Sequence, residues 1–314
     1  MDDVERGAAL ADEDGVTMIP IRTPKGTFRV WTRRAGSSPR MKLLLLHGGP
    51  GATHECFECL AAAPTAAGIE VVFYDQLGSA FSDQPDDPDL WTIERFVDEV
   101  EQVRQALGLG RGDFYLLGQS WGGILAIEYA LRHQAHLKGL VISNMMSSAA
   151  EYAAYADRVL AKQMDPAVLA EIRALEAAGD FANPRYMELL VPHYYAQHIC
   201  RLPEWPDAVN RAFAKLNQAV YTLMQGPSEF GISGRLASWD RRADFARIVV
   251  PTLVIGAAHD TMDPAHMEWM SRQVQRGSYL FCPEGSHLCM WDDQAAYVAG
   301  LMRFIHDTDA CREA

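Results

Sequence analysis

Nowhere in this 314-residue sequence is there an apolar run approaching the roughly 20 residues that a membrane-spanning helix needs. The opening residues, Met1-Asp2-Asp3-Val4-Glu5-Arg6, are acidic and hold no apolar stretch. No secretory leader is therefore expected, and the sequence points to a cytoplasmic, soluble protein without a membrane role. Basic residues are scarce: 28 Lys and Arg stand against 41 Asp and Glu, a net charge of −13. A chain so charged repels a polyanion, which excludes nucleic acid as an expected partner. Cysteines number six and are scattered, with no dense disulfide framework, as suits free thiols in a reducing compartment. Cys56 and Cys59 have redox-motif spacing, but no second pair completes a zinc site and nothing thioredoxin-like surrounds them. His193 and His198 lie off metal-site spacing, so no metal is expected. Internal repeats and low-complexity tracts are also missing.

What the sequence does have is core: 49% of its residues are apolar. Val16 to Ile21 and Phe28 to Arg33 read as a hairpin turning at Pro24-Lys25-Gly26. Continuous apolar strands follow at Lys42 to Leu46, Glu70 to Tyr74, Phe114 to Leu117, Leu140 to Ser143, Val249 to Gly256 and Ser278 to Cys282. Between them lie helical patterns. Ile93 to Leu107 places Ile93, Phe96, Val97, Val100, Val103 and Leu107 on one face, and Thr92 is its expected cap. Further helices are expected at Trp121 to Leu131, from about Pro264, and from Asp292 to His306. Apolar strands alternating with helices predict an α/β fold: a mostly parallel central sheet with helices on both faces. The pattern breaks at residues 145–235, which carry helix signals, many aromatics and no convincing strand. The expected organisation is a core of residues 1–144 and 236–314, interrupted by a helical cap at 145–235.

Gly118-Gln119-Ser120-Trp121-Gly122 matches G-x-S-x-G between an expected strand and an expected helix. A nucleophilic serine must project its hydroxyl above the sheet edge from a tight, strained turn, where side chains two residues to either side would collide. The following helix aims its amides and dipole at the site where negative charge develops. His47-Gly48-Gly49-Pro50-Gly51 directly follows a strand, the place from which such a hydrolase takes one oxyanion donor. The expected oxyanion hole is the N–H groups of Gly49 and Trp121. His47 precedes the nucleophile in the chain and is read as a loop anchor rather than a base.

The chain order for this machinery is Ser, then an acid, then His. Asp260, just after the strand Val249 to Gly256, is the expected acid, with Asp263 as the runner-up and helix capping beside Pro264 as its other reading. His287, after the last strand, is the expected base. His133, His136, His193, His198, His266 and His306 are read as structural.

With these residues in view, the sequence resembles the proline iminopeptidase (prolyl aminopeptidase) family of α/β-hydrolases, including related amino-acid amidases. The resemblance rests on His47-Gly48-Gly49-Pro50-Gly51, Asp75-Gln76 with Gly78-Ser79, Gly118-Gln119-Ser120-Trp121-Gly122-Gly123, Gly226-Pro227-Ser228-Glu229-Phe230 and Ser286-His287. It implies the α/β-hydrolase fold with an inserted helical cap. It also implies cleavage of an N-terminal residue or an amino-acid amide whose free amine is held by acidic side chains. Glu229 is such an anchor on this resemblance, in keeping with the need of a buried ammonium for a carboxylate. The family segment D-Q-R-G-S-G-R-S is here Asp75-Gln76-Leu77-Gly78-Ser79-Ala80-Phe81-Ser82, so Leu77 and Phe81 replace two arginines. Thr261 stands where some relatives carry a second amine-binding glutamate, and Asp263 is the candidate to substitute for it.

The expectation is a serine hydrolase acting on a small peptide or amide through an acyl-enzyme, with no cofactor. Two rivals remain: an esterase, lactonase or carbon-carbon hydrolase with the same triad, and a non-catalytic ligand-binding receptor on this fold.

Overall fold

Eight strands in one sheet, in the order β1-β2-β4-β3-β5-β6-β7-β8, organise the computed structural model, which describes residues 15–311. The acidic N-terminal segment read above against a leader lies outside the described residues. The strands are β1 (Val16–Thr23), β2 (Gly26–Ala35), β3 (Lys42–Leu46), β4 (Glu70–Asp75), β5 (Phe114–Gln119), β6 (Gly139–Ser143), β7 (Thr252–Ala257) and β8 (Gly277–Cys282). β1 and β2 form an antiparallel hairpin and β2 pairs antiparallel with β4; all other pairings are parallel. β4 to β7 are buried throughout, which is why they read as unbroken apolar runs. Alternate residues of each strand feed the two faces: Leu44, Leu46 and Leu116 join one core cluster, and Leu43, Leu45 and Leu117 the other.

Helices α1 (Ile93–Ala106) and α2 (Trp121–His133) begin where the sequence places them. Thr92 caps α1 by accepting from the Arg95 N–H. β7 starts three residues later than the apolar run suggests. The Val249 N–H donates to Gln134 Oε1, and the Val249 side chain is exposed. Pro251 has no N–H to give a ladder, so pairing begins at Thr252.

Between β6 and β7 the described chain is helical: α3 (Ala149–Tyr155), α4 (Pro166–Ala178), α5 (Pro184–Leu190), α6 (Asp207–Ala214) and α7 (Gln218–Met224), with short turns between. The two ends of this stretch run side by side, through Ala149 N–H to Trp239 O at 2.9 Å and Arg241 N–H to Ser147 O at 2.8 Å. α8 (Pro264–Gln273) and α9 (Gln294–Ala310) complete the core. Among the described residues no helix is long and apolar enough to cross a membrane.

The parallel register aligns the C-terminal ends of the strands: Leu46 pairs with Gly118, Gln119 with Ser143, and Ser143 with Ile255. Whatever follows β3, β5, β6, β7 and β8 therefore meets along one sheet edge.

Candidate active site

Ser120 leaves β5 and begins α2 with φ 56° and ψ −125°, a left-handed conformation that non-glycine residues rarely adopt. Such strain costs about 1–3 kcal/mol and persists only where the surroundings over-determine it. Here they do. The Ser120 N–H donates to Ser143 O at 3.1 Å, and Ser120 O accepts from Gly123 at 2.7 Å. The flanking glycines are sterically required: a Cβ on Gly118 would lie 1.8 Å from the Gly122 carbonyl oxygen, and one on Gly122 1.9 Å from that of Leu46.

Asp260 and His287 meet on the loops that follow β7 and β8. The His287 Nδ1 lies 2.8 Å from Asp260 Oδ1, and both side chains are buried. Asp260 Oδ2 accepts from Asn144 Nδ2 at 2.7 Å, so both carboxylate oxygens are engaged. This fixes the imidazole with Nδ1–H towards the acid and leaves Nε2 for the cavity that His287 and Ser120 both line. Burial pushes the His287 pKa down. The adjoining Asp260 charge and hydrogen bond outweigh it, with Glu229 and Asp292 adding to them, so the pKa sits above the ordinary imidazole value. The His287 loop is held from the helical segment: His287 N–H donates to His198 O and Leu288 N–H to Ile199 O, each at 2.9 Å. The His198 ring reaches the His259 carbonyl at 2.9 Å, so one segment supports both the acid and base loops.

Opposite lies the loop after β3. The N–H groups of Gly49 and Trp121 have no acceptor among the described residues. Gly49 adopts φ 105°, open to glycine and strained for other residues. His47 is an anchor: its Nε2 accepts from the Gln76 N–H at 3.1 Å, so its Nδ1 carries the proton towards Gly48 O at 2.9 Å. Gln76 Oε1 in turn accepts from the Trp121 indole at 2.8 Å, tying this loop to the first residue of α2.

Ser120, His287 and Gly49 open into a cavity of about 430 Å³. Its walls are mostly apolar, and among the described residues Glu229 is the one carboxylate lining it. Three tyrosines from three parts of the helical segment grip that residue. Tyr221 donates to Glu229 Oε1 at 2.5 Å, Tyr152 donates to its carbonyl at 2.6 Å, and its N–H donates to the Tyr195 oxygen at 3.0 Å. Burial raises the Glu229 pKa, opposed by the fields of His287 and the Tyr221 hydroxyl. Asp263, the other expected substrate-binding residue, is not brought to this cavity. Its Oδ1 accepts from the Ala265 N–H at 2.9 Å as the N-cap of α8, ahead of Pro264. Thr261 supports the acid–base pair, with Oγ1 3.3 Å from Asp260 Oδ1 and 3.2 Å from His287 Nδ1. Leu77 and Phe81 both lie outside the cavity lining. Away from the cavity, Glu101, His133 and His136 bring potential ligand atoms within 4.8 Å of one another. Glu101 already accepts from Arg104, Tyr129 and Gln105, so it is a poor metal ligand.

Asn144 and the tyrosine grip escaped sequence reasoning. Asn144 holds φ 51° directly after β6, and asparagine is among the few residues that tolerate this conformation; its position at a strand end was the one available signal.

Comparison with known proteins gives the family. A family model described as alpha/beta hydrolase fold matches residues 42–294. The proline iminopeptidase of Flavobacterium johnsoniae is 60% identical over 292 residues, covering 93% of this chain and 98% of that protein. The proline iminopeptidase of Elizabethkingia meningoseptica is 60% identical over 294 residues, with the same coverage of 93% and 98%. A crystal structure of proline iminopeptidase from Mycobacterium smegmatis superposes with a TM-score of 0.84 at 29% identity, covering 94% of this chain and 100% of its own.

Proposed function

This chain belongs to the proline iminopeptidase family of α/β-hydrolases, and from that membership we propose that it releases an N-terminal proline, or another small apolar residue, from a short peptide or amino-acid amide. It is a hydrolase, and Ser120, His287 and Asp260 are its proposed triad. One observation carries the reading. In a largely apolar cavity holding a strained serine and a carboxylate-bound histidine, a single carboxylate, Glu229, is held in place by tyrosines. Tyr221 occupies Glu229 Oε1, and among the described residues Oε2 has no partner, so it is left for a substrate ammonium.

The reaction follows from this placement. The ammonium of the N-terminal residue pairs with Glu229, which sets its carbonyl over Ser120. His287 Nε2 takes the serine proton as Oγ attacks, and Asp260 stabilises the imidazolium. The N–H groups of Gly49 and Trp121 receive the oxyanion. His287 then protonates the departing amine, the C–N bond breaks, and an acyl-enzyme remains. Water, deprotonated by the same imidazole, releases the free amino acid and restores Ser120. The helical segment at residues 145–235 acts as the cap that supplies Glu229 and keeps bulk water from the reaction. The six free cysteines suit a reducing compartment and support work in the cytoplasm.

The test is a panel of aminoacyl arylamides with free and N-blocked proline, alanine and phenylalanine. Free prolyl arylamide is expected to be turned over and its N-blocked form to be inert. Ser120→Ala should lose on the order of 10⁴-fold or more. Glu229→Gln should lower kcat/KM for the free amine by about 10–100-fold, the worth of a charged hydrogen bond. Equal rates on blocked and free amines would end the anchor assignment, and rapid turnover of neutral esters alone would favour the esterase rival.

A further inference from the structure

Large apolar side chains are rarely left exposed in clusters without a reason. Among the described residues eight are exposed, and three of these, Phe181, Met187 and Phe213, line the cavity that holds Ser120. All three come from the helical segment: Phe181 lies between α4 and α5, Met187 on α5 and Phe213 on α6. A residue that both lines a cavity and meets solvent marks its mouth. The substrate's amine end belongs at Glu229, so the chain beyond the scissile bond must leave past this rim.

The charges there matter as much as the apolar surface. Among the described residues no lysine or arginine lines the cavity. Of the cations that flank the rim residues in sequence, Arg185 precedes Met187 and pairs with Glu171 at 2.8 Å, and Arg211 and Lys215, either side of Phe213, are likewise committed. Arg211 pairs with Glu55 at 2.9 Å and with Glu58 at 2.7 Å, and Lys215 pairs with Glu55 at 2.8 Å. In a dipeptide the free carboxylate sits one carbon from the scissile nitrogen, inside this cavity. It would meet no cation there, and Glu229 would repel it. Once that carboxyl is an amide or the next peptide bond, the charge is gone or lies about 3.5 Å further out per residue.

Building on the aminopeptidase reading above, we infer that the leaving side of the site selects an apolar residue whose carboxyl is capped, and discriminates against dipeptides with a free carboxylate and against acidic leaving residues. The natural substrates are then peptides of three or more residues, or amides, with an apolar residue second. A buried carboxylate without a partner is costly, whereas an apolar side chain gains from the rim.

The experiment compares kcat/KM for prolinamide, Pro-Phe-NH2, Pro-Phe and Pro-Glu-NH2. Pro-Phe-NH2 is expected to exceed Pro-Phe and Pro-Glu-NH2 by about tenfold or more. Phe213→Arg, at a partly exposed position, places a cation on the rim and should raise the Pro-Phe to Pro-Phe-NH2 ratio by about tenfold. That gain cannot come from a misfolded protein. Equal kcat/KM on Pro-Phe and Pro-Phe-NH2 in the wild type, with prolinamide turned over, overturns the inference while leaving the aminopeptidase reading intact. Failure on every prolyl substrate, prolinamide included, overturns that reading and this inference with it.

Discussion

As the proposed amine anchor, Glu229 would serve two opposed demands: it would have to be ionised to hold an ammonium, yet burial in an apolar cavity disfavours that charge and raises its pKa. For a group whose folded pKa lies above its unfolded one, the stability it contributes is full below the unfolded pKa and is lost as pH rises through the folded pKa. Ionising Glu229 therefore weakens the fold. Glu229→Gln should raise the Tm at pH 7 by about 2–4 °C per kcal/mol relieved, with the gain vanishing in acid; a lower Tm at pH 7 would contradict this. The same carboxylate helps to raise the His287 pKa, after burial and Asp260 have had their larger effects. The acid limb of kcat/KM is thus expected above the ordinary imidazole value in the wild type and at lower pH in Glu229→Gln, read from pH–rate profiles on prolyl arylamide. At this scale the sequence was most legible where chemistry imposes order along the chain: the structure brings Asp260 onto His287, and His287 onto one cavity with Ser120, from far apart in the sequence. It was least legible where partners are remote: Tyr152 reaches Glu229 across 77 residues and Tyr195 across 34, and no local pattern announces either contact. Of the two readings of Asp263, the structure shows the cap that the Asp-Pro start of α8 signalled.

Elements position these residues through steric necessity more than through propensity. The turn from β5 to α2 is possible because Gly118 and Gly122 let the strand, the helix and β3 approach within contact distance. Gly118→Ala would place a methyl 1.8 Å from the Gly122 carbonyl, a backbone atom that cannot swing aside. The helix start must move, so a loss of about 3 kcal/mol or more is expected, together with loss of activity as Ser120 leaves its strained pose. Gly110→Ala is the matched control: a Cβ there meets nothing within 4 Å, and its effect should stay within about 0.5 kcal/mol. Denaturant midpoints for the two variants decide the matter, and a mild Gly118→Ala would mean that the turn is looser than its contacts imply. Strands and core helices were legible in the sequence because two-sided burial demands continuous apolar runs and α1 needs an apolar stripe. The start of β7 was not, since the apolar Val249 spends its N–H on a side chain and Pro251 has none to give. The strand order was out of reach too, because the adjacency of β2 to β4 rather than β3 is set by packing and leaves no mark on either strand.

Across the whole molecule, the helical segment leaves the sheet edge and returns beside its own starting point, so its far end is free to be the most open part of the protein. Residues 177–182, from the last turn of α4 into the connection to α5, are exposed in succession, and Phe181 is among them. Chymotrypsin is therefore expected to cut first after Phe181. Phe81 is also exposed, yet its turn is pinned, with the Phe81 N–H donating to Asp75 Oδ2 at 3.3 Å and Ser82 Oγ to Asp75 O at 2.5 Å. Phe281 is exposed but lies in β8, whose backbone is paired with β7. Local opening sets the rate of such nicking, and the segment with the fewest backbone bonds opens most readily. Because Phe181 also lines the cavity, occupancy should protect it. With Ser120→Ala held at saturating prolyl arylamide, the first cut should slow by about threefold or more, as binding stabilises the closed arrangement by mass action. Mass spectrometry of the earliest fragments reads both the site and the rate. A first cut elsewhere would remove Phe181 from the open rim, and a rate indifferent to ligand would separate the exposed loop from the site that the cavity joins it to.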